Sequence, residues 1–155
     1  TYMPQAVLGV AFSFGIPMAF TAVANDVTKL TGLLFLSNLL WIVAYDTLYS
    51  MVDREDDRLI GVKSSALFFG EKTHFVVGFL QALTILGFCT LGWKLGYGSS
   101  YLLGVLGCLM LFLYQHKLIS SKTREDYFRA FLNNNWVGLS LFAGTIMETT
   151  DWFIF

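Results

Sequence analysis

The stretch YDTLYSMVDREDDRLIGVKS, residues 45–64, carries five of the chain's eleven acidic side chains: Asp46, Asp53, Glu55, Asp56 and Asp57. It emerges from an apolar run, residues 30–49, and leads into another, residues 75–93. A helix needs about 20 apolar residues to cross a bilayer. Both runs reach that length, so the acids sit at the polar end of a membrane span. Asp46 lies inside the run itself. A carboxylate in the middle of a span costs about 2.5–3.5 kcal/mol on insertion scales and marks function more often than structure.

Composition agrees with a membrane setting. Of the 155 residues, 55% are hydrophobic and only 14% charged, against roughly 25% charged in a soluble domain. A net charge of −1 leaves no basic footprint for nucleic acid. Cys89 and Cys108 both fall in apolar runs without metal-ligand spacing. They read as small core or lipid-facing residues rather than a disulfide. The chain opens on Thr1-Tyr2-Met3-Pro4 with no basic region or cleavage site of a signal peptide. It is expected to be part of something longer.

Working outward from the acidic stretch, five segments are apolar enough to span: about 6–24, 30–49, 75–93, 101–118 and 136–153. The first contains Gly15-Ile16-Pro17, tolerated in a spanning helix as a kink. Trp93, Tyr97, Tyr101, Trp136 and Trp152 fall near the predicted ends, where interfacial aromatics belong. Arg54, Arg58, Lys63 and Lys72 lie between spans two and three. Lys117, Lys122, Arg124 and Arg129 lie between spans four and five. Only Lys29 and Lys94 occupy the other loops. The positive-inside rule puts the two basic loops, and the acidic stretch with them, on the cytoplasmic side, or the matrix side of an organelle. Residues 59–69 suit a short amphipathic helix or lid. Residues 117–135 suit either an interfacial helix or a solvated helix cap.

If span two continues as one helix through residue 57, Asp46, Tyr49, Ser50, Asp53 and Asp57 share a stripe. Two carboxylates at i, i+4 repel each other, unless a hard cation lies between them. Magnesium takes one or two carboxylates and completes its shell with phosphate oxygens and water. Lys63, Arg54 and Arg58 supply positive charge suited to phosphate. Acids for a metal, bases for phosphate and an apolar chamber behind them select a diphosphate with a long hydrocarbon tail. As an ordinary solvated loop, Glu55 and Asp56 need no ligand, and the spacing of Asp53 and Asp57 is common by chance. Asp46 does not fit that plainer reading. Asn38 and Gln81 read as interhelical glue, His74 and His116 as interfacial residues, and Asn133 to Asn135 as caps of the last helix.

Tyr45-Asp46-Thr47-Leu48-Tyr49, Val52-Asp53-Arg54-Glu55-Asp56-Asp57, Ile60-Gly61-Val62-Lys63-Ser64 and Phe69-Gly70 together resemble the second aspartate-rich motif of the UbiA superfamily of intramembrane prenyltransferases. Within it, the nearest resemblance is to the 4-hydroxybenzoate polyprenyltransferases of ubiquinone biosynthesis. Pro4-Gln5-Ala6-Val7-Leu8-Gly9, Ile16-Pro17-Met18-Ala19-Phe20 and Phe131-Leu132-Asn133-Asn134-Asn135-Trp136-Val137-Gly138 resemble the same group. The resemblance implies an all-α bundle of nine spans, of which these are the last five, in a bacterial or mitochondrial inner membrane. It implies Mg2+ on Asp53 and Asp57, diphosphate contacts from Lys63 and Arg54, and a deeper acid at Asp46 that orients a ligand. Tyr49 faces the same stripe, either shielding a carbocation or merely packing. The implied reaction joins a polyprenyl diphosphate to the ring carbon ortho to the phenol of 4-hydroxybenzoate. The family's first motif, N-D-x-x-D-x-x-x-D, is absent here, so these residues alone are expected to be inactive. Homogentisate, a naphthoate or a porphyrin as acceptor, and a transporter segment with an intramembrane acid, are the alternatives.

Overall fold

The computed structural model describes residues 3–150, which are helical throughout, with short turns and no strand among them. Pro4 occupies the first turn of α1 (Pro4–Ser13), where its missing N–H costs nothing. After Phe14, α2 (Gly15–Ala24) completes a 21-residue span. The break falls where Pro17 has no N–H to offer the Ser13 carbonyl, as the sequence predicts. The Ser13 hydroxyl instead accepts from Asn38 Nδ2 at 3.0 Å, so Asn38 is the interhelical glue expected of it.

Thr28 starts α3 (Lys29–Val52) with a reciprocal cap. Its Oγ1 accepts from the Thr31 amide, while Thr31 Oγ1 accepts from the Thr28 amide. At 24 residues, α3 is about 36 Å long and is the axis of the molecule. On it pack α1, α2, α6 (Thr73–Leu95) and α8 (Arg124–Leu132). The inner cluster joins Ala44 and Leu48 of α3 to Val77, Tyr127, Ala130 and Ile119. Ile119 ends α7 (Ser99–Ile119), which lies against α6 and α9 (Asn134–Thr150).

Four spans pass the length and hydropathy needed to cross a membrane. The fifth expected span corresponds to α9, with 17 described residues; its expected extension to residue 153, with Trp152, lies outside the described residues. Lipid offers no hydrophobic drive for helices to associate, so close backbone approach and polar bridges must do it. Gly104 and Gly144 supply the approach: a Cβ on Gly144 would come within 2.8 Å of the Gly104 Cα. Ser140 Oγ donates to the Gly104 carbonyl at 2.9 Å. At the end remote from the acids, Glu148 accepts from the Gly98 and Tyr101 amides and so caps α7.

Several expectations change. Tyr101 is not interfacial but 1% exposed, its hydroxyl donating to the Phe88 carbonyl. His74 and His116, near the helix ends where interfacial residues are expected, also bridge helices: His74 Nε2 bonds the Tyr127 hydroxyl at 2.6 Å, and His116 Nε2 bonds Gln81 Oε1 at 3.0 Å. Gln81 in turn donates to Gln115, and Gln115 to Asn133. Sequence spacing cannot reveal these pairs, which join residues 18 to 53 positions apart. Nor does Asn134 cap α9 with its side chain; its Nδ2 donates backwards to Ala130 and Phe131 carbonyls while its Oδ1 accepts from Trp41 Nε1 at 2.9 Å. Cys89 is exposed and Cys108 buried, both free, as expected.

Candidate functional site

The expected single stripe does not form. α3 stops at Val52, Asp53 takes φ −98°, ψ 5°, and the chain restarts as α4 (Arg54–Ile60). Left-handed Gly61 ends α4, with the Val62 amide bonding the Asp57 carbonyl. The chain then folds back so that α5 (Ser65–Phe69), followed by a single 3₁₀ turn, Gly70–Lys72, lies against α3. The amphipathic lid expected over residues 59–69 is therefore two short helices joined at a bend.

This return buries Ser50. Its Oγ donates to the Thr47 carbonyl, accepts from the Ala66 amide and lies 3.1 Å from Ser65 Oγ. Thr47 Oγ1 and Ser65 Oγ are 2.9 Å apart, and the Gln5 side chain accepts from the Ser65 amide. Ser50 is thus a structural anchor and leaves the acidic stripe.

What remains is a pair and a deeper acid. The Asp57 amide donates to the Asp53 carbonyl at 2.8 Å, so the two carboxylates stand one turn apart, about 5–6 Å between Cβ atoms. Arg124 of α8 bonds Asp53 at 3.3 Å and Asp56 at 3.0 Å. Local sequence gives no sign of this bridge across 71 residues. It fixes the two basic loops at one end of the bundle. Being exposed, it contributes under about 1 kcal/mol to stability. Asp46 lies seven residues before Asp53, about 10 Å along the axis, too far to share one ion. It is half-buried, and among the described residues its carboxylate has no hydrogen bond or ion pair.

Two carboxylates one turn apart fit magnesium, which keeps several waters and takes substrate phosphate for the rest of its shell. A fully protein-built metal cage is not present: among the described residues no three acidic, histidine or cysteine side chains converge on one point. The site residues divide further. Lys63 is exposed between α4 and α5. Arg54 lines a cavity with His74, Lys122 and Tyr127.

Beside the acids runs an aromatic wall. Trp41 meets Tyr45 edge-on, and Tyr45 and Tyr49 both lean on Phe131, Tyr49 with a centroid distance of 5.0 Å. Trp41, Tyr45, Phe131, Asn134 and Gly138 line a cavity of about 490 Å³. Trp41 and Gly138 also line a second, strongly apolar cavity of about 430 Å³ between Leu34, Tyr101 and Phe142. The two share Trp41 and Gly138, and Tyr49, one turn beyond Tyr45, carries the aromatic wall from the first cavity toward Asp53. Trp41, Phe131 and Asn134 have no singular sequence signal, being aromatics and amides among many; only their convergence marks them.

Two groups near the site, outside the spans, are shifted. Hydroxyl donors from Ser121 and Thr123 hold the Asp126 carboxyl below its ordinary range, while burial raises the Tyr127 phenol.

The fold and site define a polytopic helical membrane protein with paired acids at one end of a bundle that holds largely apolar cavities. The model of the UbiA prenyltransferase family matches residues 1–140, and the chain belongs to that family. It is 51% identical over 148 residues to a 4-hydroxybenzoate octaprenyltransferase of Sodalis glossinidius, covering 96% of this chain and 51% of that protein. Proteins of the same name from Marinobacter nauticus and Citrobacter koseri are 46% and 50% identical, with 96% of this chain covered and 50% and 51% of theirs. The chain therefore spans about half the length of the curated relatives it matches. A solved structure described for digeranylgeranylglyceryl phosphate synthase superposes with TM-score 0.68 at 26% identity, over 94% of this chain and 52% of that one.

Proposed function

We propose that these residues supply the second-motif part of an enzyme that transfers a polyprenyl group from its diphosphate to the ring of 4-hydroxybenzoate in ubiquinone biosynthesis. The observation that carries the reading is the Asp53–Asp57 pair at the end of α3, whose aromatic wall of Tyr49, Tyr45 and Trp41 leads back to two adjoining cavities. Relatives near 50% identity named 4-hydroxybenzoate octaprenyltransferase support the acceptor and the kind of donor.

Asp53 and Asp57 are the residues that would hold Mg2+. When bound, the ion neutralises the departing diphosphate. Lys63, exposed beside α4, is the chain's cation for the diphosphate oxygens. Arg54, which lines the cavity with Lys122, is assigned no diphosphate contact in this reading. The tail fits the cavities beside Trp41 and Gly138. The allylic C–O bond breaks, the electron pair leaves with diphosphate, the ring carbon forms the new C–C bond and then loses its proton. Tyr45, Tyr49 and Phe131 exclude water that would otherwise capture the cation. The basic loops support a position of this end at the cytoplasmic face of an inner membrane, or at the matrix face in mitochondria.

The test is Asp53→Ala and Asp57→Ala in the full-length protein. Each is expected to abolish Mg2+-dependent prenyl transfer while leaving the thermal transition within a few degrees, since both side chains are partly exposed. Wild-type turnover in either variant removes that residue from the site.

A further inference from the structure

The side of α3 away from the acids carries a feature that the prenyl-transfer reading does not use. Met51 points about 140° around α3 from Asp46 and borders a polar cavity of about 530 Å³, within the ~300–1,000 Å³ usual for small-molecule sites. Arg54 from α4, Lys122 from the α7–α8 turn, and His74 and Tyr127 line it; Glu71 is its one acidic member. The residues come from six segments, α3, α4, the 3₁₀ turn, α6, the α7–α8 turn and α8, and the His74–Tyr127 bond at 2.6 Å holds two of them in place. Lys122 is held in a left-handed conformation, φ 56°, uncommon for a lysine. Arg54 and Lys122 thus share one cavity wall with the His74 ring.

One helical turn deeper than His74, Gly78 begins an apolar groove between α6 and α7. Ala82 and Ile85 continue it on one side and Leu109 and Leu113 on the other, enclosing about 230 Å³, with His116 at its upper end. Ala82 and Leu113 are exposed, on helices long and apolar enough to lie in a membrane. A net-cationic cavity at the membrane end of two spans, with an apolar groove running down from it, has the layout of a two-part amphiphile. Guanidinium and ammonium groups suit phosphate oxygens, and an acyl chain suits the groove.

We propose that this face binds an anionic phospholipid, its phosphate between Arg54 and Lys122 and one acyl chain in the α6–α7 groove. The lipid would tie the α3–α4 junction to the α7–α8 turn from outside the bundle. The proposal is independent of the prenyl-transfer reading.

The test uses the full-length protein in detergent, titrated separately with phosphatidylglycerol, phosphatidylcholine of the same chains, and inorganic phosphate. Bound lipid is counted by native mass spectrometry. Phosphatidylglycerol is expected to bind more tightly than phosphatidylcholine. Lys122→Gln is expected to weaken it about fivefold, the worth of one surface cation toward anionic lipid. Ala82→Phe, which fills the groove from an exposed position, is expected to weaken lipid binding and leave the response to inorganic phosphate unchanged. Equal binding of the two lipids, or full lipid retention in both variants, overturns the proposal. So does inorganic phosphate displacing the lipid completely with Ala82→Phe silent, which would make the ligand a soluble anion.

Discussion

Asp46 has no side-chain partner among the described residues, although it is half-buried in a spanning helix. Such a group lowers stability and persists where it has work to do. Asp46→Leu is expected to raise the thermal unfolding temperature of the full-length protein, by the equivalent of about 2 kcal/mol, and to lower prenyl transfer by tenfold or more. Unfolding at a lower temperature would make the carboxylate structural. Asp126 behaves oppositely. Ser121 and Thr123 donate to its carboxylate at 2.6 and 2.8 Å, and its folded pKa lies below the ordinary 3.8. A depressed pKa contributes stability above the unfolded value and loses it as pH falls through the folded one. Amide exchange at the start of α8 should therefore stay slow from pH 7 down to the carboxylate range and quicken only below it. Acceleration already between pH 7 and 5 would contradict the assignment.

At the scale of elements, the contact between α7 and α9 depends on missing side chains. A Cβ on Gly144 meets backbone: Gly104 Cα at 2.8 Å and the Ser100 carbonyl at 3.0 Å. Backbone cannot swing aside as a side-chain tip can. Gly144→Ala should cost about 1–3 kcal/mol, the range for overpacking. Gly32, in α3 with nothing within 4 Å of its virtual Cβ, is the control: Gly32→Ala should stabilise by about 0.5–1 kcal/mol. Thermal unfolding of both variants reads the contrast, and a neutral Gly144→Ala would mean that the helices separate without cost. The break between α3 and α4 belongs to this scale too. Straight helical continuation would have kept Ser50 and Asp57 on one stripe. The return of α5 onto α3 takes Ser50 into a buried hydroxyl cluster with Thr47 and Ser65 and re-aims the residues beyond Val52.

For the whole molecule, the Arg124 bridge to Asp53 and Asp56 sets both basic loops at one end, and the Glu148 cap on α7 belongs to the other. Eight of the ten lysines and arginines then share the acidic end. In a cysteine-free background, Ser120→Cys should react with an impermeant maleimide only from the cytoplasmic or matrix side, and Lys94→Cys only from the opposite side. Labelling of both from one side would invalidate the orientation and with it the side assigned to the active end.

Sequence by itself determined the membrane class, the apolar runs from which the helices form, the kink before Pro17, the grouping of the basic residues in two loops and the density of acids between residues 46 and 57. These are properties of composition and short-range spacing: span length follows from hydrophobic thickness, a proline lacks an amide wherever it stands, and i, i+4 neighbours meet on any helix. Tertiary structure decided the rest. It took Ser50 into a buried hydroxyl cluster, put Arg54 on a cavity wall with Lys122, brought Arg124 to Asp53, made His74 and His116 bridges between helices, and assembled the cavity beside Trp41, Phe131 and Asn134. Each of these depends on residues 15 to 93 positions apart in the chain. Which of many similar aromatics, amides and cations meet is set by the packing of whole helices, and no local pattern records it. The stretch from residue 45 to 64 shows the division: its chemistry was legible, and the direction in which its side chains point was not.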